Sequence, residues 1–264
     1  MTPGSPSGFE RYIGIDYSGA ATPDTGLSGL RVYAATADEA PREIRPHANP
    51  RLHWSRRGIA EWLLATLTDA PPTLVGIDHG FGLPRIWHTH YGVTEDYTQF
   101  LRDFRRDWPS DHAGTSVEAI RRGRVGAGSA RQGSARWRRL AEARVGAKSV
   151  FHFDVPGSVA KSTHAGLPWL AMLRETLGPA LHFWPFDGWL PAPGRALIAE
   201  AYPSLWRCTP APAGHTADQH DAWVISATLR RLDRDGQLPA LLAPALDPET
   251  RETAMIEGWI LGVT

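Results

Sequence analysis

Two short apolar runs, YIGID at 12–16 and LVGID at 74–78, close on the same three residues, Gly-Ile-Asp. Each reads as a strand that ends in a carboxylate. A third run, ALIAE at 196–200, ends in Glu200. In α/β sheets, ligands bind beyond the carboxyl ends of the strands. Asp16, Asp78 and Glu200 therefore belong to one edge of one sheet, and an α/β fold is expected.

The elements between these strands support that class. LRVYAA at 30–35 reads as a hairpin partner of the first strand, after the turn chemistry of SGAATPDTGLSG. A short third strand is possible at 42–45. Residues 55–68 read as an amphipathic helix capped by Ser55, with Ile59, Trp62, Leu63 and Leu67 at helical spacing and Pro71-Pro72 beyond its end. Helices are expected over 94–107 and 136–145, and over 168–177, where Pro168 suits a first helical position. LHFW at 181–184 reads as another strand. The strongest helical pattern is 216–234, with Thr216 as cap and Ala222, Ile225, Leu229 and Leu232 as its apolar stripe. A last helix is expected within 247–262. From Phe81 to Lys161 the periodicity degrades, so the chain reads as a single domain, 1–264, with 85–165 as an insertion or lid.

Composition excludes several classes. The chain has 264 residues and one cysteine, Cys208, so no intramolecular disulfide framework holds it together. No run of about 18 apolar residues suggests a membrane span, and the first residues lack a secretion signal. A cytoplasmic protein is expected. Formal net charge is zero, yet 121–148 holds nine cations against the single anion Glu142. Such a block suits a polyanion such as nucleic acid. Arg121, Arg122 and Arg124 are candidate phosphate contacts, as are Ser18 beside the first acid and Lys161. GSVAKST at 157–163 is not a P-loop, because Ala160 and Val155 stand where glycines are required.

A further acid pair, Asp218 and Asp221, shares one face of the 216–234 helix by its i, i+3 spacing. Carboxylates that converge repel each other unless a cation lies among them. Without cysteine or histidine ligands the set favours Mg²⁺ or Mn²⁺, held by oxygen at about 2.0–2.1 Å for Mg²⁺. Two such ions about 3.5–4 Å apart can activate water and stabilise the leaving oxygen of a phosphodiester.

GIDYSGA (14–20), GIDHGFGLP (76–84), EAYPSLW (200–206) and DQHDAWVISA (218–227) resemble, in order and spacing, a widespread family of uncharacterised proteins regarded as predicted nucleases of ribonuclease H fold. That family was first grouped as a domain of unknown function. The resemblance covers about 11–35, 55–84 and 167–234. It implies a ribonuclease H-like mixed sheet flanked by helices, here with an irregular basic insertion. It also implies an acidic centre of Asp16, Asp78, Asp218 and Asp221, with Glu200 a fifth member in a glutamate-tyrosine-proline signature. The family commonly has Ala-Pro after the second aspartate, where this chain has His79-Gly80. The expectation is a metal-dependent nuclease with catalytic Asp16, Asp78, Glu200, Asp218 and Asp221, of which Asp16, Asp78 and Asp221 ligate the metal. His79 reads as a supporting or exposed residue, and His215 and His220 flank the late aspartates. The alternatives are a phosphotransferase or ATPase of the actin and sugar-kinase type, and a nucleic-acid-binding module without catalysis. Oligomeric state stays open.

Overall fold

The computed structural model describes residues 8–46, 52–68, 71–155, 158–210 and 212–264. Six strands form one mixed sheet in the order β3-β2-β1-β4-β6-β5. They are β1 (Arg11–Asp16), β2 (Arg31–Thr36), β3 (Arg42–Glu43), β4 (Thr73–Asp78), β5 (Leu181–Phe183) and β6 (Ala196–Glu200). The hairpin expectation holds: β2 runs antiparallel to β1. β4 is parallel to β1, and β6 is parallel to both β4 and β5.

Strand alternation divides the core into two layers. Ile13, Ile15, Val75, Ile77 and Ile198 face α1 (Arg56–Leu67), α3 (Tyr97–Asp107) and α6 (Ala160–Leu177). Tyr12, Leu74, Leu197 and Ala199 face the other way, toward α7 (Ala217–Arg234), α8 (Leu238–Leu242) and α9 (Pro248–Glu257). The caps match local chemistry: Ser55 accepts from the Gly58 amide, and Thr216 with Gln219 forms a capping box on α7.

Two sequence expectations change. The helix read as 168–177 begins at Ala160, so Pro168 lies inside α6 and not at its first turn. Proline lacks the N–H that would bond the His164 carbonyl. The Ser110 hydroxyl takes that carbonyl instead, at 2.8 Å, and the helix continues. Likewise, 85–165 does not stand off the core. It carries α2 (Arg85–Tyr91), α3, α4 (Val117–Arg121) and α5 (Leu140–Val145), and Trp87, Phe100, Phe104, Trp108, Ile120 and Phe151 share one apolar cluster with the strands. The Gly/Ser/Arg run is pinned there as well. A Cβ on Gly128 would lie 2.3 Å from the Trp108 ring, and the Trp87 indole donates to the Arg131 carbonyl at 2.9 Å. Periodicity fails in this segment because its contacts are aromatic and long-range. Among the described residues, no helix is long and apolar enough to cross a membrane.

α7 lies in close contact with the sheet. A Cβ on Gly14 would stand 2.2 Å from the Ala222 carbonyl and 2.6 Å from the Ser226 amide; one on Gly76 would stand 2.6 Å from Ile225 Cγ2. Along the same contact, Ser226 Oγ donates to the Tyr12 carbonyl at 2.8 Å and Tyr12 Oη donates to Asp233 at 2.8 Å. Gly14→Ala is expected to cost about 3 kcal/mol, because the clash is with backbone and α7 must shift as a body. Urea denaturation measures this, and a wild-type midpoint in that variant contradicts the close contact.

Candidate functional site

Asp16 and Asp78 are the last residues of adjacent parallel strands and are direct register partners. Each follows its glycine by two positions, so each carboxylate emerges on the α7 face of the sheet. The capped first turns of α7 then bring Asp218 and Asp221 to the same place. A Cβ on Gly29 would lie 3.8 Å from Asp218 Oδ2 and 3.9 Å from Ser18 Cβ, so Asp218 and Ser18 flank one point beside the turn before β2.

The electrostatics follow from burial and like charge. Burial, then the charges of Asp78, Asp218 and Asp221, push the Asp16 carboxyl up to about 9. Asp78 is pushed up to about 8, first by burial, then by Asp221 and Glu200, against the pull of Arg207. Neither group is matched by an ion-pair partner of its own among the described residues. Hard divalent cations suit this all-oxygen donor set.

Two of the expected acids are committed elsewhere. Glu200 pairs in register with Ile77 and so projects on the sheet face opposite to Asp16 and Asp78. There Arg139 forks onto it with two bonds of 2.6 Å, and the Phe81 amide donates to it at 3.1 Å. Arg139 also bonds Glu142 at 2.9 Å, and both its side chain and that of Glu142 are 1% exposed. Burial works against the guanidinium charge, but Glu200 and Glu142 overcome it and hold Arg139 well above its ordinary value. Asp221 stays on the α7 face but is forked by Arg207, at 3.0 and 2.6 Å. Among the described residues, no three His, Cys, Asp or Glu side chains are poised to share one ion. Asp16 and Asp78, with Asp218 near, are the acids left without an ion-pair partner among the described residues, while Asp221 is taken by Arg207.

The phosphate contacts expected in the basic segment do not converge on this site. Arg121 forks onto Asp154 at 2.8 and 2.7 Å, Arg122 pairs with Glu118 one helical turn earlier at 2.7 Å, and Arg124 is exposed. Lys161 is exposed on the first turn of α6, with its backbone carbonyl packed against Gly19 in the turn after Asp16. A cavity of about 480 Å³ opens instead beside Asp78 and Asp221, lined also by Arg139, Glu200, Arg207, Lys148, Ser158, Ser162, Tyr202 and Ser204. Arg121, Arg122, Arg124, Lys161, Asp16, Asp218 and Ser18 do not line it.

His79 is neither exposed nor beside the acids. It points away from Asp78 into the opposite layer, 1% exposed, with Nδ1 at 2.9 Å from the Gly80 carbonyl. Burial lowers it to about 4, so it is neutral near pH 7. His215 Nε2 lies 3.3 Å from Tyr33 Oη, and His220 Nε2 lies 3.1 Å from the Thr209 carbonyl. Sequence reasoning missed three arginines. Arg139 and Arg207 hold Glu200 and Asp221; Arg56, fully buried, donates to the carbonyls of Ser18, Ala20 and Ala21 and so shapes the turn after Asp16. Their only sequence signal is charge, and charge does not name a partner.

No family model, curated protein or solved structure matches the chain. The functional reading therefore rests on the chemistry of these residues.

Two outcomes follow. Asp16 holds its proton more tightly folded than unfolded, where its carboxyl titrates near 3.8. The folded state therefore loses stability as pH rises from about 4 toward 9. Without divalent cation, Asp16→Asn is expected to be more stable than wild type at pH 8 by about 1–2 kcal/mol, with the gap closing near pH 4. Parallel melting curves across that range exclude the coupling. Glu200→Gln weakens the charge partner of a buried arginine and is expected to destabilise by about 3 kcal/mol, read from denaturant midpoints. A neutral effect shows that Glu200 is not the Arg139 counter-ion.

Proposed function

We propose that the chain is a metal-dependent nuclease, hydrolysing phosphodiester bonds of nucleic acid at a Mg²⁺ or Mn²⁺ centre on Asp16 and Asp78. The observation that carries this is the pairing of two half-buried carboxylates at register positions on adjacent strands, each raised by desolvation and by its acidic neighbours. Such a pair is costly alone and favourable around a cation. The resemblance of the four motifs adds the ribonuclease H-like assignment. The sheet is compatible with it: β1 lies centrally, with antiparallel β2 on one side and parallel β4 on the other.

A bound divalent ion supplies an activated water and charge stabilisation at the leaving oxygen. The chain supplies the rest. Asp16 and Asp78 would hold the ion, with Asp218 beside them on α7 and Asp221 able to join them where Arg207 is taken by another anion. Glu200 acts at one remove. It holds the Phe81 amide and Arg139, and through them the loop that follows Asp78. The actin and sugar-kinase alternative gains no support, since Asp221 is followed by unbroken helix to Arg234 rather than by a glycine-rich adenosine loop.

The decisive assay is cleavage of single- and double-stranded DNA and RNA with Mn²⁺. Asp16→Asn and Asp78→Asn are each expected to lose about a thousandfold or more in rate, roughly 4 kcal/mol of transition-state stabilisation, and a chelator is expected to abolish cleavage. Undiminished cleavage in Asp16→Asn, or with chelator present, refutes the reading.

A further inference from the structure

We propose that the cavity beside Asp78 receives one unpaired nucleotide of a single strand, and that Arg207 grips its phosphate. This rests on the nuclease reading and names its substrate class. Asp78 and Asp221 both stand in the cavity wall, so a phosphate held in the cavity lies beside them. Its volume, about 480 Å³, is of the size that encloses a single small molecule. A base in a duplex cannot follow its phosphate into such a space without leaving the stack, whereas an unpaired base can. Tyr202 lines the wall beside Arg207 and offers a ring for that base.

Arg207 is equipped for the phosphate. A guanidinium fork matches two phosphate oxygens as it matches two carboxylate oxygens. Its present partner is Asp221, and its side chain is 54% exposed. The Asp221 side chain is only 12% exposed, so it is the guanidinium end of the pair that faces solvent and can meet an incoming anion. The other arginine of the wall, Arg139, is buried between Glu142 and Glu200 and is not available. When the phosphate takes Arg207, Asp221 is released toward the cation, so strand and metal assist each other's binding.

The test is fluorescence anisotropy with the full chain in Ca²⁺, using a labelled six-nucleotide DNA strand and the same strand in a blunt duplex. The single strand is expected to bind at least tenfold tighter than the duplex. Arg207→Ala and Arg207→Gln are each expected to lose about tenfold, with the slope of log affinity against log salt reduced by about 0.7, the loss of one phosphate contact on a single strand. The glutamine variant retains a hydrogen-bonding group for Asp221 and carries the test if the alanine variant melts early. Duplex binding as tight as single-strand binding overturns the proposal, as does wild-type affinity in Arg207→Gln. A loss in Arg122→Ala in place of Arg207 also overturns it, in favour of the basic segment. If these affinities hold but Mn²⁺-dependent cleavage is absent, the cavity assignment stands and the nuclease reading falls. Cleavage with a preference for duplex does the reverse.

Discussion

The architecture of the site depends on how closely α7 can lie on the sheet. Gly14 and Gly76 leave no side chain between β1, β4 and the helix, so the backbone of α7 near Ala222 and Ser226 touches the strands. The same two glycines set the phase of the aspartates that follow them. Because strand side chains alternate, Asp16 and Asp78 emerge on the face the glycines leave bare. One repeated tripeptide thus brings the helix down and aims two acids at its first turns. A methyl group at Gly14 would lift the helix and, with it, Asp218 and Asp221, while one at Gly76 would press on the Ile225 and Leu229 side chains.

A few arginines, among them Arg56 and Arg139, are buried and bind groups inside the fold. Arg56 gathers three carbonyls of the turn after Asp16, and Arg139 joins Glu142 and Glu200 across the end of the sheet. Removing one partner of such a buried set leaves the other uncompensated, which is more damaging than the pair is stabilising. The guanidinium plane suits this work because it satisfies several acceptors from one side chain. The basic block at 121–148 is therefore misleading as a net charge. Several of its members are spent on Asp154, Glu118, Asp107 and Glu200.

Asp16 and Asp78 have the opposite character. They stand together half-buried, with no ion-pair partner among the described residues, and desolvation and neighbouring carboxylates raise both well above the ordinary carboxylate range. The fold tolerates this because the strand register and the α7 contact are secured by residues that do not share the charge, such as Ser226 on the Tyr12 carbonyl. Local destabilisation at a site held by a well-packed frame is the usual signature of pre-organisation for a ligand.

Much of the frame was legible from the chain. Short apolar runs marked β1, β2, β4 and β6, and capping residues marked α1 and α7, because these signals are local. The acids at the strand ends were legible for the same reason. What only the tertiary structure decided was partnership. Parity between neighbouring strands turned Glu200 to the opposite face from Asp78, and no run of letters reports which strands will be neighbours. Pro168 lies inside a helix because a serine 58 positions earlier serves the orphaned carbonyl. The 85–165 segment joined the core through aromatic contacts with no period. Arg207 and Arg139 found their carboxylates across long stretches of chain. Sequence by itself determined which residues carry charge and which elements carry them; three-dimensional packing determined which charges meet, since that depends on distances the order of residues does not contain.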